Sequence, residues 1–278
     1  MKRWTKITAI LMLVVFSLTM FAGMAIAAPL SGNLTMSGST TVKPLADLLA
    51  ADFMKKNKGV KITIAEGGSG AGIKDVNEGR VNIGNASRAL KDTDPQGLVA
   101  HTVAYDALAV IVHPKNPVKG LTKDQVTKIF SGEIKNWQEV GGKNAPIFVN
   151  QRAVPSGTLD YFMEEFMVGA DKKAIPIVST AKHHASNKLL IPAVAKNPNA
   201  IGFTSLGSLN KTVKGLPIDG SVPTIQNAVN GTYKHVRPLN LVTKGQPTDL
   251  TKAFIDYAKS PAGQAIAGKS WVPLPKKK

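Results

Sequence analysis

The stretch RAVPSGTLDYF, residues 152–162, sets Arg152 four positions before a Ser156-Gly157-Thr158 triplet and then turns apolar at helical spacing. A helix start presents unpaired N–H groups and a partial positive charge. Hydroxyls and a bare glycine let an anion approach those groups, and an arginine adds a bidentate fork. The same residues also suit an ordinary Ser/Thr helix cap beside a surface arginine. Taken alone, the stretch does not choose between them.

Two further segments share its character: SGSTTV (37–42) and GGSGAG (67–72). Each of the three follows an expected strand. In open α/β sheets ligands bind at the carboxyl ends of strands, next to helix starts, so three such loops could converge on one small anion. The elements that would position them alternate as in βαβ units with a largely parallel sheet. GNLTMSG, VKITIAEGG, VNIGNAS, DALAVIVHPKN, APIFVNQR, AIGFTSLGSL and RPLNLVTK read as strands. TTVKPLADLLAADFMKKN keeps Val42, Leu45, Leu48, Leu49 and Phe53 at helical spacing. AGIKDVNEG and LTKDQVTKIF read as helices, and PTDLTKAFIDYAKSPAGQAIAG as one or two more.

The 278 residues suffice for one large domain or two medium ones. Lys2, Arg3 and Lys6 precede an apolar run that closes on small residues, which marks residues 1–28 as a signal peptide cleaved near Ala27 or Ala28. Cysteine is absent, which excludes disulfides, thiolate metal sites and a lipid-modified cysteine at the cleavage point. A secreted chain without a lipid anchor is retained best by a double-membraned cell, so the periplasm is the expected location. The net charge is +17, yet aromatic residues make up only 6% and none interleave with a basic run, so nucleic acid is not the expected partner. A positive field that attracts a small anion, or simple solubility, accounts for the lysines.

Enzymatic readings fail on their own requirements. GGSGAGIK has Ile73 where a phosphate loop needs Gly-Lys-Ser/Thr in series, and Ala71 stands where a nucleophile elbow on Ser69 needs glycine. STAK (179–182) lacks the partner motifs of a serine acyltransferase site. His183 and His184 are adjacent, so they point apart and form no helical metal pair. No catalytic residue, metal or cofactor is expected.

Taken in order, SGSTTVKPLA, GGSGAGIKDVNEGRVNIGNASR, LTKDQVTKIFSGEIKNWQEVGG, RAVPSGT, AIGFTSLG, RPLNLVTK and SPAGQAI resemble the substrate-binding proteins of phosphate ABC transporters across nearly the whole mature chain. The resemblance implies an α/β, two-lobed type II periplasmic binding protein fold with two hinge strands, here DALAVIVHP and RPLNLVTK. Lobe one would comprise 29–113 plus 233–278 and lobe two 114–232. It implies a monomer that binds inorganic phosphate and hands it to an ABC transporter permease. Receptors for sulfate, molybdate or tungstate, and a secreted phosphatase, are the alternatives.

Carried over by motif position, Ser39, Thr40 and Ser69 would contact phosphate from lobe one, and Arg152, Ser156, Gly157 and Thr158 from lobe two. Thr41 and Ser87 are further candidates. Some family members carry Ser-Asp where this chain has Ser87-Arg88; that aspartate accepts the proton of hydrogen phosphate. Arg88 would then be a second cationic ligand or the partner of a carboxylate such as Asp106. Asp106 is the nearest substitute acceptor, unless it caps a turn or pairs with Arg88.

Overall fold

The computed structural model describes residues 29–275; the expected signal peptide and the last three lysines lie outside them. The first half runs β1 (Ser31–Gly38), α1 (Lys43–Lys56), β2 (Gly59–Glu66), α2 (Ser69–Asn77), β3 (Ile83–Ala86), β4 (Leu98–Val112) and α3 (Lys123–Ser131). Next come β5 (Phe148–Arg152), α4 (Gly157–Phe166), β6 (Lys182–His184), α5 (Asn187–Ala195), β7 (Ala200–Ser205) and β8 (Lys214–Gly215). The chain closes with α6 (Ile225–Val229), β9 (Val236–Lys244), α7 (Asp249–Lys259) and α8 (Pro261–Ala267).

Local chemistry explains these boundaries. Helix α1 starts with Pro44 in its first turn, ends on Lys55 and Lys56, and buries Leu45, Ala46, Leu49, Ala50 and Phe53 along one stripe. Helix α3 opens on a reciprocal Thr122–Gln125 capping box and stops at Gly132 in the left-handed region. The C-terminal segment divides into two helices at Ser260-Pro261, where Ser260 caps the second. Among the described residues no helix is long and apolar enough to cross a membrane.

The strands follow the path β2-β1-β3-β9-β4-β7-β5-β6, with β8 beside β4. β1 runs parallel to β2 and β3, and β5 runs parallel to β6 and β7. The expectation of a largely parallel sheet holds only for these outer groups. β9 is antiparallel to β3 and β4, and β4 is antiparallel to β7 and β8, because both long strands cross from one group to the other. β4 also starts earlier than expected, at Leu98: residues 98–107 pair with β9, whereas Leu108–Val112 pair with β7.

The apolar core divides in the same way. Leu34, Met36, Leu45, Leu49, Phe53, Val103, Leu239, Leu241 and Phe254 form one large cluster. Leu108, Val110, Phe130, Trp137, Phe162, Phe166 and Phe203 belong to a second. β4 therefore seeds both. Helix α2 lies so close to the first group that a Cβ at Gly72 would come within 2.5 Å of the Ser37 carbonyl, so only glycine lets Ser69 reach the strand ends.

In the second cluster the Phe162 ring stacks on Phe203 at 4.0 Å and 4° and meets Phe130 at 4.6 Å. Phe162→Ala should cost about 3–5 kcal/mol in urea unfolding, because a fully buried aromatic leaves a cavity that its ring neighbours cannot fill. A loss below about 1 kcal/mol would contradict this packing.

Candidate functional site

β1, β3 and β5 end close together, and the loops after β1, β2 and β5 lead into helices, whereas the loop after β3 runs on to β4. Ser39 follows β1; its Oγ accepts the N–H groups of Thr41 and Val42 at 3.2 and 3.3 Å, which folds the SGSTTV loop over the start of α1. Thr40 is buried and its hydroxyl has no partner among the described residues. Ser69 opens α2 and accepts the Ser87 N–H at 3.0 Å, with the two hydroxyls 3.3 Å apart. Ser156 caps α4 by accepting the Leu159 N–H at 3.2 Å, so the N–H groups of the first turn face outward along the helix axis.

These loops meet. The Thr41 and Thr158 hydroxyls are 3.0 Å apart. A Cβ on Gly157 would collide with the Ser69 side chain and lie 2.8 Å from the Ser87 hydroxyl, so the first turn of α4 abuts the Ser69–Ser87 pair and only glycine fits. The expected residues Ser39, Thr40, Thr41, Ser69, Ser87, Arg152, Ser156, Gly157 and Thr158 are thus all buried at this one junction.

Arg152 lies at the end of β5 and is 1% exposed. Its Nε donates to the His184 carbonyl at 3.2 Å, one terminal nitrogen to the Asn187 Oδ1 at 2.8 Å and the other to the Ala185 carbonyl at 2.9 Å. All three acceptors are uncharged. Burial, together with the neighbouring Arg237, pulls its pKa down to about 10.

Two residues that the sequence reading did not single out complete the junction. Arg237, on β9, is fully buried and grips Asp106 Oδ2 through two nitrogens at 2.9 and 3.2 Å. It also donates to the Gly157 carbonyl at 3.2 Å and the Thr41 hydroxyl at 3.3 Å. Asn187, the first residue of α5, receives Arg152 on its oxygen and donates through Nδ2 to the Thr41 hydroxyl at 3.1 Å. A sequence signal existed for Arg237, since a charge set between Val236 and Pro238-Leu239 in a central strand is seldom left without a task.

The remaining expectations resolve differently. Asp106 does not pair with Arg88: Arg237 takes one of its oxygens, and the Ser205 hydroxyl at 2.7 Å with the Gly207 N–H at 3.4 Å takes the other. Burial pushes this carboxyl upward and Arg237 opposes it; every neighbour is a donor, which suits the ionised form. Arg88 takes the carboxylate-paired alternative, with other partners. It meets both Asp94 oxygens at 2.7 and 2.9 Å, Asp160 at 2.9 Å and the Ala89 carbonyl at 2.7 Å. Burial works against its charge, but Asp94 and Asp160 outweigh it and hold the pKa above the usual arginine value. His184 bonds Asn150 and His183 bonds Gln151, and among the described residues no cluster could hold a metal ion.

Residues 24–262 match the PBP superfamily domain. The phosphate-binding protein PstS of Bacillus subtilis is 37% identical over 83% of this chain and 76% of its own. A crystal structure with bound phosphate from Clostridium perfringens, of a candidate phosphate ABC transporter substrate-binding protein, superposes with a TM-score of 0.83 at 37% identity, covering 88% of this chain and all of that one. An ABC-type phosphate transport receptor from Vibrio cholerae gives 0.72 at 31%, over 87% of this chain and all of its own.

The chain belongs to the PBP superfamily, among its PstS-type phosphate-binding proteins. It has the two-lobed α/β fold of that family. Within this PstS-type junction, Asp106 is the counter-ion of Arg237. Asp106→Asn should therefore destabilise the anion-free protein by about 3–5 kcal/mol in urea unfolding, because it leaves a fully buried guanidinium without its partner. A midpoint unchanged within error would show that Arg237 does not depend on Asp106.

Proposed function

We propose that the protein is an extracytoplasmic receptor that binds inorganic phosphate between its two lobes and delivers it to an ABC transporter permease. The observation that carries this reading is Arg152: a buried guanidinium, beside a second one, with no carboxylate in ion-pair range among the described residues. A buried charge is tolerated only when matched, and an oxyanion held at helix starts is the match this junction is built for. The relatives' names and the phosphate-bound neighbour support phosphate as that anion.

In this reading Ser39, Thr40 and Ser69 hold the anion from lobe one. Arg152, Ser156, Gly157 and Thr158 hold it from lobe two, with Thr41 and Ser87 at the margin. Arg152 has five N–H donors and uses three of them among the described residues, which leaves two for a bidentate grip. Arg88 and Asp106 support the walls through their own ion pairs and do not touch the anion. The proton of hydrogen phosphate then falls to a hydroxyl, and Thr40, buried with its Oγ1 unpartnered among the described residues, is the first choice. We assign residues 29–113 and 233–278 to lobe one and 114–232 to lobe two, with β4 and β9 as the hinge. The protein acts as a periplasmic monomer after loss of residues 1–28 and performs no catalysis.

Arg152→Ala should weaken phosphate binding at least about thirtyfold in isothermal titration of anion-stripped protein, while leaving the fold intact, because a buried charge-assisted contact is worth about 2–5 kcal/mol. An affinity within about threefold of the parent would remove Arg152 from the site.

A further inference from the structure

Arg152 is held in place without being neutralised. Its three protein acceptors are two backbone carbonyls and the side-chain oxygen of Asn187. Arg237, a few bonds away through Thr41, has the opposite arrangement, with a carboxylate against its fork. Glu66 supports the Arg152 charge only through space and is itself paired with Lys188 at 2.8 Å. A carboxylate at position 187 would orient Arg152 equally well and would suit a helix start better than an amide. It would also cancel the charge that an anion needs and place a negative group beside it.

Asn187 does a second thing. Its Nδ2 donates to Thr41 Oγ1, so one amide joins the β5 arginine to the loop after β1. The side chain is 2% exposed, and both of its polar ends are occupied. An amide is the one side chain of this size that accepts from a guanidinium at one end, donates to a hydroxyl at the other and carries no charge.

Resting on the phosphate reading above, we infer that Asn187 is a positioning and selectivity residue: it aims Arg152 at the anion while leaving its charge uncancelled, and it ties that arginine to the loop after β1. Asn187 acts through Arg152 and Thr41, so its substitution has a signature that separates it from a merely structural residue. Asn187→Asp keeps the shape and the oxygen that Arg152 uses, and its second oxygen can accept the Thr41 proton. The charge changes, and the bond to Thr41 reverses direction while the contact itself is kept.

The test titrates inorganic phosphate into anion-stripped parent, Asn187→Asp and Asn187→Ala at pH 7.5, with thermal unfolding of each in the absence of phosphate. Asn187→Asp is expected to melt at or above the parent temperature yet to bind phosphate at least about a hundredfold more weakly, since like charges are brought together in a buried site. Asn187→Ala is expected to lose about tenfold, the worth of an aiming contact to a charged group, and so to bind more tightly than the aspartate variant. An aspartate variant within about threefold of the parent overturns the inference. So does one that binds no worse than the alanine variant, or affinity losses that merely track lost thermal stability, including failure of both variants to fold. If the parent itself binds no phosphate, the fault lies in the phosphate reading and not in the role of Asn187 alone.

Discussion

The constraint on which the rest depends is a buried cation, Arg152, with no counter-ion among the described residues. Taking a guanidinium out of water costs several kcal/mol unless a partner restores what water supplied. Arg237 has that partner in Asp106, and Arg88 has two in Asp94 and Asp160. Arg152 has carbonyls and an amide, which satisfy its hydrogen bonds and leave its charge. A protein that holds such a group in the dry interior holds it in readiness for an anion, and its folded state gains stability when that anion arrives.

Much of the architecture serves this arrangement. β4 and β9 cross between the two sheet groups and carry the Asp106–Arg237 pair on adjacent, antiparallel strands, so a fully buried, matched ion pair sits on the strands that join the two groups. Helices α1, α2, α4 and α5 all begin at the junction, so their N-terminal dipoles add to the positive field without any further charge. The close approach at Gly157 brings the start of α4 against Ser69 and Ser87, which come from the other side of the seam. Ser69, Ser87 and Thr158 are buried there, and burial is what raises the worth of each electrostatic contact.

The loops were readable from the sequence because their chemistry is local. SGSTTV, GGSGAG and RAVPSGT each state a strand end, a turn and a helix start within a few residues, and the structure brings all three together. The helices α1 and α3 were readable from periodicity and caps. What the sequence hid depends on distant parts of the chain. Arg237 and Asp106 are 131 positions apart, and nothing near either names the other. Asn187 opens a helix carrying Pro192 in its interior, a pattern that periodicity discounts. From the sequence Arg88 reads as a ligand or as the partner of Asp106; its actual partners include Asp160, 72 positions away on α4. The early start of β4 is hard to read because LVAHTVAY mixes polar residues into a strand whose partners there, β9 and Val272, lie far along the chain.

The central claim is that one oxyanion completes the charge of Arg152 at the meeting point of the loops after β1, β2 and β5. Arsenate has the shape and charge of phosphate and scatters anomalously at the arsenic edge, so it marks the anion directly. Crystals of the anion-stripped protein grown with arsenate should show a single strong anomalous peak within hydrogen-bonding reach of Arg152, Ser69 and the first N–H groups of α4. A peak elsewhere, or none at that junction at saturating arsenate, would contradict the account.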